Sequence, residues 1–211
     1  MTPQILLDAG MDLLKLQQVL YGETDGYGLA EQGKQRTQNA GHENFVYGEV
    51  SPQAIWEMLQ TLGAKPDEVF YDLGSGTGKG VLYAAILFEF AKCKGIEYLE
   101  ELHKAAEASV PRYHEHVLPL LAGKKNHPEI SFSCADLRTQ DISDGDIVFA
   151  HCTTWNDELM DGVRQKLETL KSGSRIITVS RGVESPELHY MGFIPVRMAW
   201  GNASAYFYQR V

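Results

Sequence analysis

The fold is decided by the stretch Glu68-Val69-Phe70-Tyr71-Asp72-Leu73-Gly74-Ser75-Gly76-Thr77-Gly78-Lys79-Gly80. Residues 68–73 predict a β-strand that ends on an acid, and the apolar run at 81–90 predicts a helix. Between them, glycine occupies every second position from 74 to 80, which lets the backbone adopt positive φ and approach a ligand closely. A strand, a glycine turn and a helix N-terminus in this order predict a nucleotide-like binding edge with backbone N–H groups facing the ligand.

The spacing of the glycines separates three kinds of binding site. The dinucleotide fingerprint needs its last glycine at position 79, 81 or 83, where this chain has Lys79, Val81 and Tyr83. The phosphate loop fails because Leu73 stands at its first glycine and Gly80 at its magnesium-binding hydroxyl. The remaining pattern, D-x-G-x-G-x-G, resembles motif I of the class I S-adenosylmethionine-dependent methyltransferases. The alternative is a tight strand-to-helix turn without a ligand.

Composition narrows the classes of function. The chain has 211 residues, 44% of them hydrophobic, and a net charge of −9. Because phosphate contacts need clustered Lys and Arg, this balance argues against a strong nucleic-acid-binding face. Three cysteines without C-x-x-C spacing predict neither a disulfide framework nor a metal site. The start of the chain lacks a leader pattern and no apolar run approaches a membrane span, so we expect an intracellular protein, cytoplasmic or nuclear.

The first part of the chain has a different character from the rest. Residues 4–20 carry apolar side chains at helical spacing and predict an amphipathic helix that packs on the chain, on an accessory partner or on a second copy. Residues 21–44 are rich in glycine and polar residues and predict a long loop. We therefore expect an N-terminal helix and lid loop over residues 1–46, with a lid that orders when cofactor binds, and a second domain over residues 47–211.

Strands and helices alternate through this second domain. Ser51-Pro52 predicts the start of a helix over 53–62. Six further strands are predicted, over residues 94–98, 130–134, 146–150, 175–179, 193–200 and 205–211. The last two flank residues 201–204 and predict a terminal hairpin. The predicted class is α/β: a Rossmann-like, open, mostly parallel seven-stranded sheet with an antiparallel hairpin and an N-terminal extension.

Two acids stand where predicted strands end. Glu97 follows Asp72 by 25 positions, and an acid at the second strand tip of such a fold grips both ribose hydroxyls. The alternative for Glu97 is a helix N-terminal acid. Asp136 ends the third strand and can accept from the exocyclic amine of adenine, while the next backbone N–H meets the ring. The alternative for Asp136 is a loop carboxylate.

From about residue 45 to the end, the chain resembles a class I methyltransferase. The order Tyr47-Gly48-Glu49, a capped helix, the loop at 72–78 and Gly95-Ile96-Glu97 resembles the disruptor-of-telomeric-silencing type of histone-lysine methyltransferase. The resemblance implies a non-SET protein lysine methyltransferase with a lid before Tyr47. With the glycine loop, it implies S-adenosyl-L-methionine as cofactor and these contacts: Glu49, Asp72, Gly74, Ser75, Gly76, Gly78, Glu97, Asp136 and Leu137.

The resemblance is incomplete at the acceptor side. The family's Asn-Asn-Phe-type loop, which walls the lysine channel, is replaced here by His151-Cys152-Thr153-Thr154-Trp155, and the basic extension of its nucleosome-binding members is absent. A lysine must arrive neutral, which an apolar aromatic channel favours. Trp155 is therefore the predicted channel wall, with Tyr47 beside it, and His151 is predicted to orient the nucleophile or take its proton.

The sequence thus predicts a methyltransferase acting on a protein lysine. The expected acceptor is a basic protein such as a free histone, with no intact nucleosome held by this chain alone. A small-molecule or RNA methyltransferase and a non-catalytic binding module of the same fold stay as alternatives, because a fold does not choose among them.

Overall fold

A seven-stranded sheet forms the centre of the computed structural model, which describes residues 3–37 and 42–211. The strands are β1 Val69–Leu73, β2 Lys92–Glu97, β3 Glu129–Cys134, β4 Ile147–Ala150, β5 Arg175–Val179, β6 Leu188–Met198 and β7 Gly201–Arg210. Their order across the sheet is β3-β2-β1-β4-β5-β7-β6. Strands β1 to β5 are parallel, and β7 runs antiparallel to both β5 and β6. The predicted sheet, with its terminal hairpin, is confirmed.

Helices cover both faces of this sheet. They are α1 Gln4–Asp8, α2 Leu13–Tyr21, α3 Gly26–Arg36, α4 Pro52–Leu62, α5 Lys79–Leu87, α6 Glu100–Arg112, α7 Leu118–Leu121 and α8 Asp157–Leu167, with a 3₁₀ turn at His42–Phe45 and a π-helical turn at Tyr113–Val117. One core packs α1, α2, α4 and α5 against one face. A second core packs α8 against the other face. No helix in the described part of the chain is long and apolar enough to cross a membrane.

Strand β1 and helix α5 form the central unit that carries the glycine loop. Four of the five β1 residues are buried, and every residue of α5 is buried. A helix that is apolar all round needs cover on all sides, which the sheet, α4 and the N-terminal helices supply. The helix ends at Leu87, earlier than the apolar run to residue 90 predicts. Phe88 takes an extended conformation there, with φ −132° and ψ 162°.

The N-terminal region differs from its prediction in two ways. The helix predicted over residues 4–20 is broken into α1 and α2, because Gly10 has φ +65° and the Asp12 side chain starts a new helix by accepting from the Lys15 N–H at 2.7 Å. The loop predicted over residues 21–44 is wrong, since it contains α3. Asp25 caps α3 by accepting from the Gly28 N–H at 2.9 Å. Residues 38–41 of this segment lie outside the described residues.

Two local predictions in the second domain can be compared directly. The helix start at Ser51 is confirmed, because its hydroxyl accepts from the Ala54 N–H at 3.1 Å, and Gly63 ends α4 with φ +72°. The hairpin turn is not at residues 201–204, which belong to β7. The connection is Ala199-Trp200 instead, so the turn projects a tryptophan toward the carboxyl edge of the sheet.

Candidate active site

A cavity of about 590 Å³ lies at the carboxyl ends of the parallel strands, where open α/β sheets bind their ligands. Its size lies within the range of cofactor and substrate pockets. Its walls come from the glycine loop, the ends of β2 and β3, the segment after β4 and the hairpin turn; they include Tyr27, Phe45, Tyr47, Gly48, Gly74, Gly76, Glu97, Tyr98, Leu102, Asp136, Leu137, Arg138, His151, Trp155 and Trp200.

Two positions of the loop require glycine, because φ is positive there and because a Cβ atom would clash with a neighbouring ring. Gly74 has φ +75°, and a Cβ there would lie 2.9 Å from Cζ2 of Trp155. Gly76 has φ +55°, and its Cβ would lie 2.6 Å from Cε2 of Tyr47. Gly78 also has positive φ, but it is the N-cap residue that precedes α5 and faces Phe132, with its Cβ position 2.7 Å from that ring. The predicted cofactor contact at Gly78 is therefore placed away from the cavity lining.

Glu97 fastens the glycine loop to the end of β2. One carboxylate oxygen accepts from the Gly76 N–H at 2.8 Å, and the other accepts from the Leu99 N–H at 2.8 Å. Burial raises the pKa of Glu97, and these backbone hydrogen bonds act in the opposite direction. Each oxygen keeps a lone pair, so the carboxylate can still accept ligand hydroxyls from the cavity that it lines.

Asp72 lies deeper, at the end of β1. It is 3% exposed, and its Oδ1 has no hydrogen-bond partner among the described residues. Burial, with a smaller contribution from the charge of Glu97, raises the pKa of Asp72 to about 8. A second, small cavity of about 20 Å³ is lined by Asp72 and Ser75, and the Ser75 hydroxyl also lacks a partner in the described structure.

Asp136 and Leu137 line the large cavity, as their predicted adenine contacts require. Asp136 is already held by Arg138, whose Nε donates at 3.0 Å and Nη2 at 2.7 Å to the carboxylate. The hydrogen bonds from Arg138 lower the pKa of Asp136. The sequence reading did not assign Arg138, which lies only two positions after Asp136.

Residues 46–50, here called the strap, cross over the glycine loop. The Tyr47 hydroxyl lies 2.9 Å from the Thr77 hydroxyl and 3.2 Å from Glu49 Oε1. The other Glu49 oxygen pairs with Lys79 Nζ at 2.5 Å. Glu49 lines the small cavity beside Asp72, and its carboxylate pairs with Lys79 there. Tyr47 and Gly48 are the strap residues that face the large cavity. The cofactor contact predicted for Glu49 stays a prediction.

The acceptor side of the cavity is built from two tryptophans and a histidine. The His151 ring stacks on Trp200, with centroids 5.9 Å apart and an interplanar angle of 6°. Burial lowers the pKa of His151 to about 4, so the ring is neutral at neutral pH. Its Nε2 has no partner among the described residues. Trp155, 8% exposed, covers Gly74, and Gly48 leaves room for both His151 and Trp200.

Sequence reasoning missed Trp200, Lys79, Arg138 and Tyr27 at this site. Trp200 carries no local signal, because it meets His151 only through the hairpin. Lys79 stands directly after Gly78 in the quoted stretch, and its polarity inside an apolar helix start was the signal that could have marked it. Tyr27 packs edge-on against Tyr47 with ring centroids 5.3 Å apart. Helix α3 positions Tyr27 for this contact, and the sequence predicts a loop at that place.

The polar groups that line the two cavities fit S-adenosyl-L-methionine. Glu97 offers acceptors for ribose hydroxyls, and Asp136 offers one for an adenine amine. Asp72 and Ser75 present unpartnered oxygens beside the two loop glycines, where an ammonium group would satisfy them. Within residues 3–37 and 42–211, no group of three or more His, Cys, Asp or Glu side chains could hold a metal ion.

The strand order, the loop after β1 and the acids at the strand ends define the fold of a class I methyltransferase. The chain belongs to the family described as "Histone methylation protein DOT1", whose model matches residues 31–187. The resemblance stated from the motifs is thereby confirmed.

A curated relative agrees with this family, and solved structures agree with the fold. A histone-lysine N-methyltransferase of Debaryomyces hansenii, named as H3 lysine-79 specific, is 30% identical over 139 residues, which are 64% of this chain and 12% of that protein. The chain thus spans about an eighth of that relative. An RNA methyltransferase from Salinibacter ruber has a TM-score of 0.53 at 21% identity, covering 75% of this chain and 90% of its own. Magnesium protoporphyrin IX methyltransferase from Synechocystis has a TM-score of 0.57 at 13% identity, covering 97% of each chain.

Proposed function

We propose that this chain is an S-adenosyl-L-methionine-dependent methyltransferase that transfers a methyl group to a protein lysine, with a histone as the acceptor. The observation that carries this function is one cavity that joins the glycine loop and Glu97 to the aromatic wall of His151, Trp155 and Trp200. Membership of a histone methylation family supports the acceptor class.

The two ends of the cavity have separate tasks. Glu97 holds the ribose, Asp136 and Leu137 hold the adenine, and Asp72 holds the methionine ammonium. The bound cofactor supplies an electrophilic methyl group on a positively charged sulfur. The protein mainly aligns donor and acceptor and excludes water, which is the largest contribution that it can make to an in-line displacement.

The aromatic wall prepares the lysine. Trp155 and Trp200, with Tyr47 nearby, give the amine an apolar approach, and desolvation favours its neutral form. The neutral His151 accepts a hydrogen bond from the amine N–H at Nε2, which points the nitrogen lone pair at the methyl group. Transfer of the methyl group to this nitrogen would leave the electrons of the C–S bond on the sulfur, and the extra proton of the new ammonium would pass to solvent.

His151 is expected to act as an orienting acceptor that does not titrate. At saturating cofactor, the pH profile of kcat should show no inflection at the ordinary histidine pKa of 6.5. His151→Leu should lower kcat about tenfold, the cost of one hydrogen bond, and His151→Asn, which keeps an acceptor, should lose less. Equal activity of all three proteins, or an inflection near 6.5 that His151→Asn removes, would contradict this role.

The net charge of the chain distinguishes among the competing functions. At a net charge of −9, the chain lacks the counterion-release contribution that drives RNA or nucleosome binding. Arg164 and Lys171, two of the scattered basic residues on and after α8, are already paired with Asp161 and Asp146. An acidic enzyme attracts a basic protein. We infer that free histones are methylated directly and that nucleosomes need a basic partner.

The acceptor preference should appear in a comparison of purified substrates. Free histones should be methylated, and intact nucleosomes at equal concentration should react at least about tenfold more slowly. Rising salt should slow the reaction with free histones, because it screens the attraction.

Trp155→Ala serves as the probe of the channel in that comparison. It should reduce transfer to histone while cofactor still binds. Efficient methylation of nucleosomes by the purified chain would overturn the limit on the acceptor, and label entering RNA or a metabolite would favour the competing classes.

A further inference from the structure

Lys79 occupies a costly position. It is the first residue of α5, where the positive end of the helix dipole disfavours a cation. It is also 6% exposed, and a buried ammonium must be paired to be tolerated. Because both effects are unfavourable, the surroundings must stabilise the Lys79 ammonium.

That stabilisation comes from two different parts of the chain. Glu49 of the strap lies 2.5 Å from Lys79 Nζ, and the ring of Tyr21 on α2 lies 5.1 Å from it in a cation–π arrangement. Glu49 itself is largely buried, with 14% of its side chain exposed. The ammonium is thus the meeting point of the N-terminal helices, the strap and the glycine loop.

The strap in turn builds one wall of the active site. Glu49 also accepts from the Tyr47 hydroxyl, and the Tyr47 ring lies where a side chain at Gly76 would be. Gly48 lies directly against His151 and Trp200. The position of Glu49 therefore affects both the Tyr47 ring beside Gly76 and Gly48 beside His151 and Trp200.

We propose that Lys79 is a positioning residue: through its ion pair with Glu49, it holds the strap on the glycine loop and so assembles the methionine end of the cofactor pocket. This role rests on the proposed function, because it assigns a task within the same site. Lys79 itself lines only the small cavity and does not line the large one.

The test is calorimetric binding of S-adenosyl-L-methionine to the full chain carrying Lys79→Met. Binding should weaken about tenfold, the effect of about 1.4 kcal/mol, and hydrogen exchange of residues 46–50 should become faster. Glu49→Gln should weaken binding similarly, and the double variant should be little worse than either single one, because both changes break one pair. Lys79→Arg should recover part of the affinity.

Lys125→Met is the matched control. The Lys125 ammonium donates to the Ala85, Ile86 and Phe88 carbonyls at the opposite end of the same helix, so its loss should lower stability without changing cofactor affinity. If Lys79→Met binds cofactor as the wild type does, or if Lys125→Met weakens binding equally, the positioning role is wrong. If the wild type itself binds no cofactor, the proposed function fails as well.

Discussion

Glu97→Ala is expected to weaken binding of S-adenosyl-L-methionine about a hundredfold or more. The change removes the acceptor for two ribose hydroxyls, and a hydrogen bond to a charged group contributes about 1.5–3 kcal/mol. It also releases the Gly76 and Leu99 N–H groups that the carboxylate holds at 2.8 Å. Isothermal calorimetry with the purified chain measures the affinity directly.

Two further variants separate ribose binding from general damage. Glu97→Gln keeps the shape and one acceptor oxygen, so it should fall between the wild type and the alanine variant. Glu129→Ala removes an exposed carboxylate at the start of β3, at the far end of the sheet, and should bind as the wild type does. Wild-type affinity in Glu97→Ala would remove Glu97 from the cofactor site.

The affinity for cofactor should also depend on pH through Asp72. Burial raises the pKa of Asp72 to about 8 in the free chain, but an ammonium group needs the ionised carboxylate. At pH values below 8, binding must therefore release the Asp72 proton. The dissociation constant should then rise about tenfold for each unit by which the pH falls. Above pH 8 the affinity should fall again, because the α-amino group of the cofactor, with an ordinary pKa of about 8, loses its proton. The charged neighbours of this group are Glu97, Glu49 and Lys79.

Proton release provides an independent measurement of the same effect. Calorimetry at pH 7 in buffers of different ionisation enthalpy should show nearly one proton released per cofactor bound, and Asp72→Asn should abolish the release and weaken binding. For folding, the raised pKa means that the contribution of Asp72 to the stability of the free chain falls as pH rises from 3.8 toward 8. A pH-independent affinity in the wild type would contradict this account of Asp72.

The parts of the fold that the sequence predicted have local causes. Strand β1, the glycine loop and α5 follow from the positions of Asp72, Gly74 and Gly76 within one short stretch. Ser51 and Gly63 mark the ends of α4 through capping. The acids Glu97 and Asp136 could be assigned because they stand at the ends of strands, and parallel strands bring those ends to one edge.

Helix α3 cannot be predicted from its local sequence, because its glycines are typical of loops. In the structure, Gly33 allows α3 to approach α6 closely: a Cβ there would lie 3.0 Å from Glu101 and 3.2 Å from Leu99. Gly26 makes the same kind of room for Tyr47. The helix is thus stabilised by tertiary packing that overrides low propensity, and no local pattern records which segment it will contact.

The contact of His151 with Trp200 and the ion pair of Lys79 with Glu49 cannot be predicted from the sequence, for a related reason. His151 meets Trp200 across 49 positions of sequence, and Lys79 meets Glu49 across 30. Each pair depends on how the sheet and the strap are placed, so neither residue's partner can be read from its own surroundings in the sequence.

The most direct measurement of the central claim is the site of methyl transfer. The purified chain should be incubated with methyl-labelled S-adenosyl-L-methionine and free histones, RNA and a metabolite extract in parallel, and the products mapped by mass spectrometry. Label is expected on the side-chain nitrogen of a histone lysine, lost in Glu97→Ala and retained in Glu129→Ala. Label only in RNA or in a small molecule, or no transfer to any of the three, would contradict the central claim.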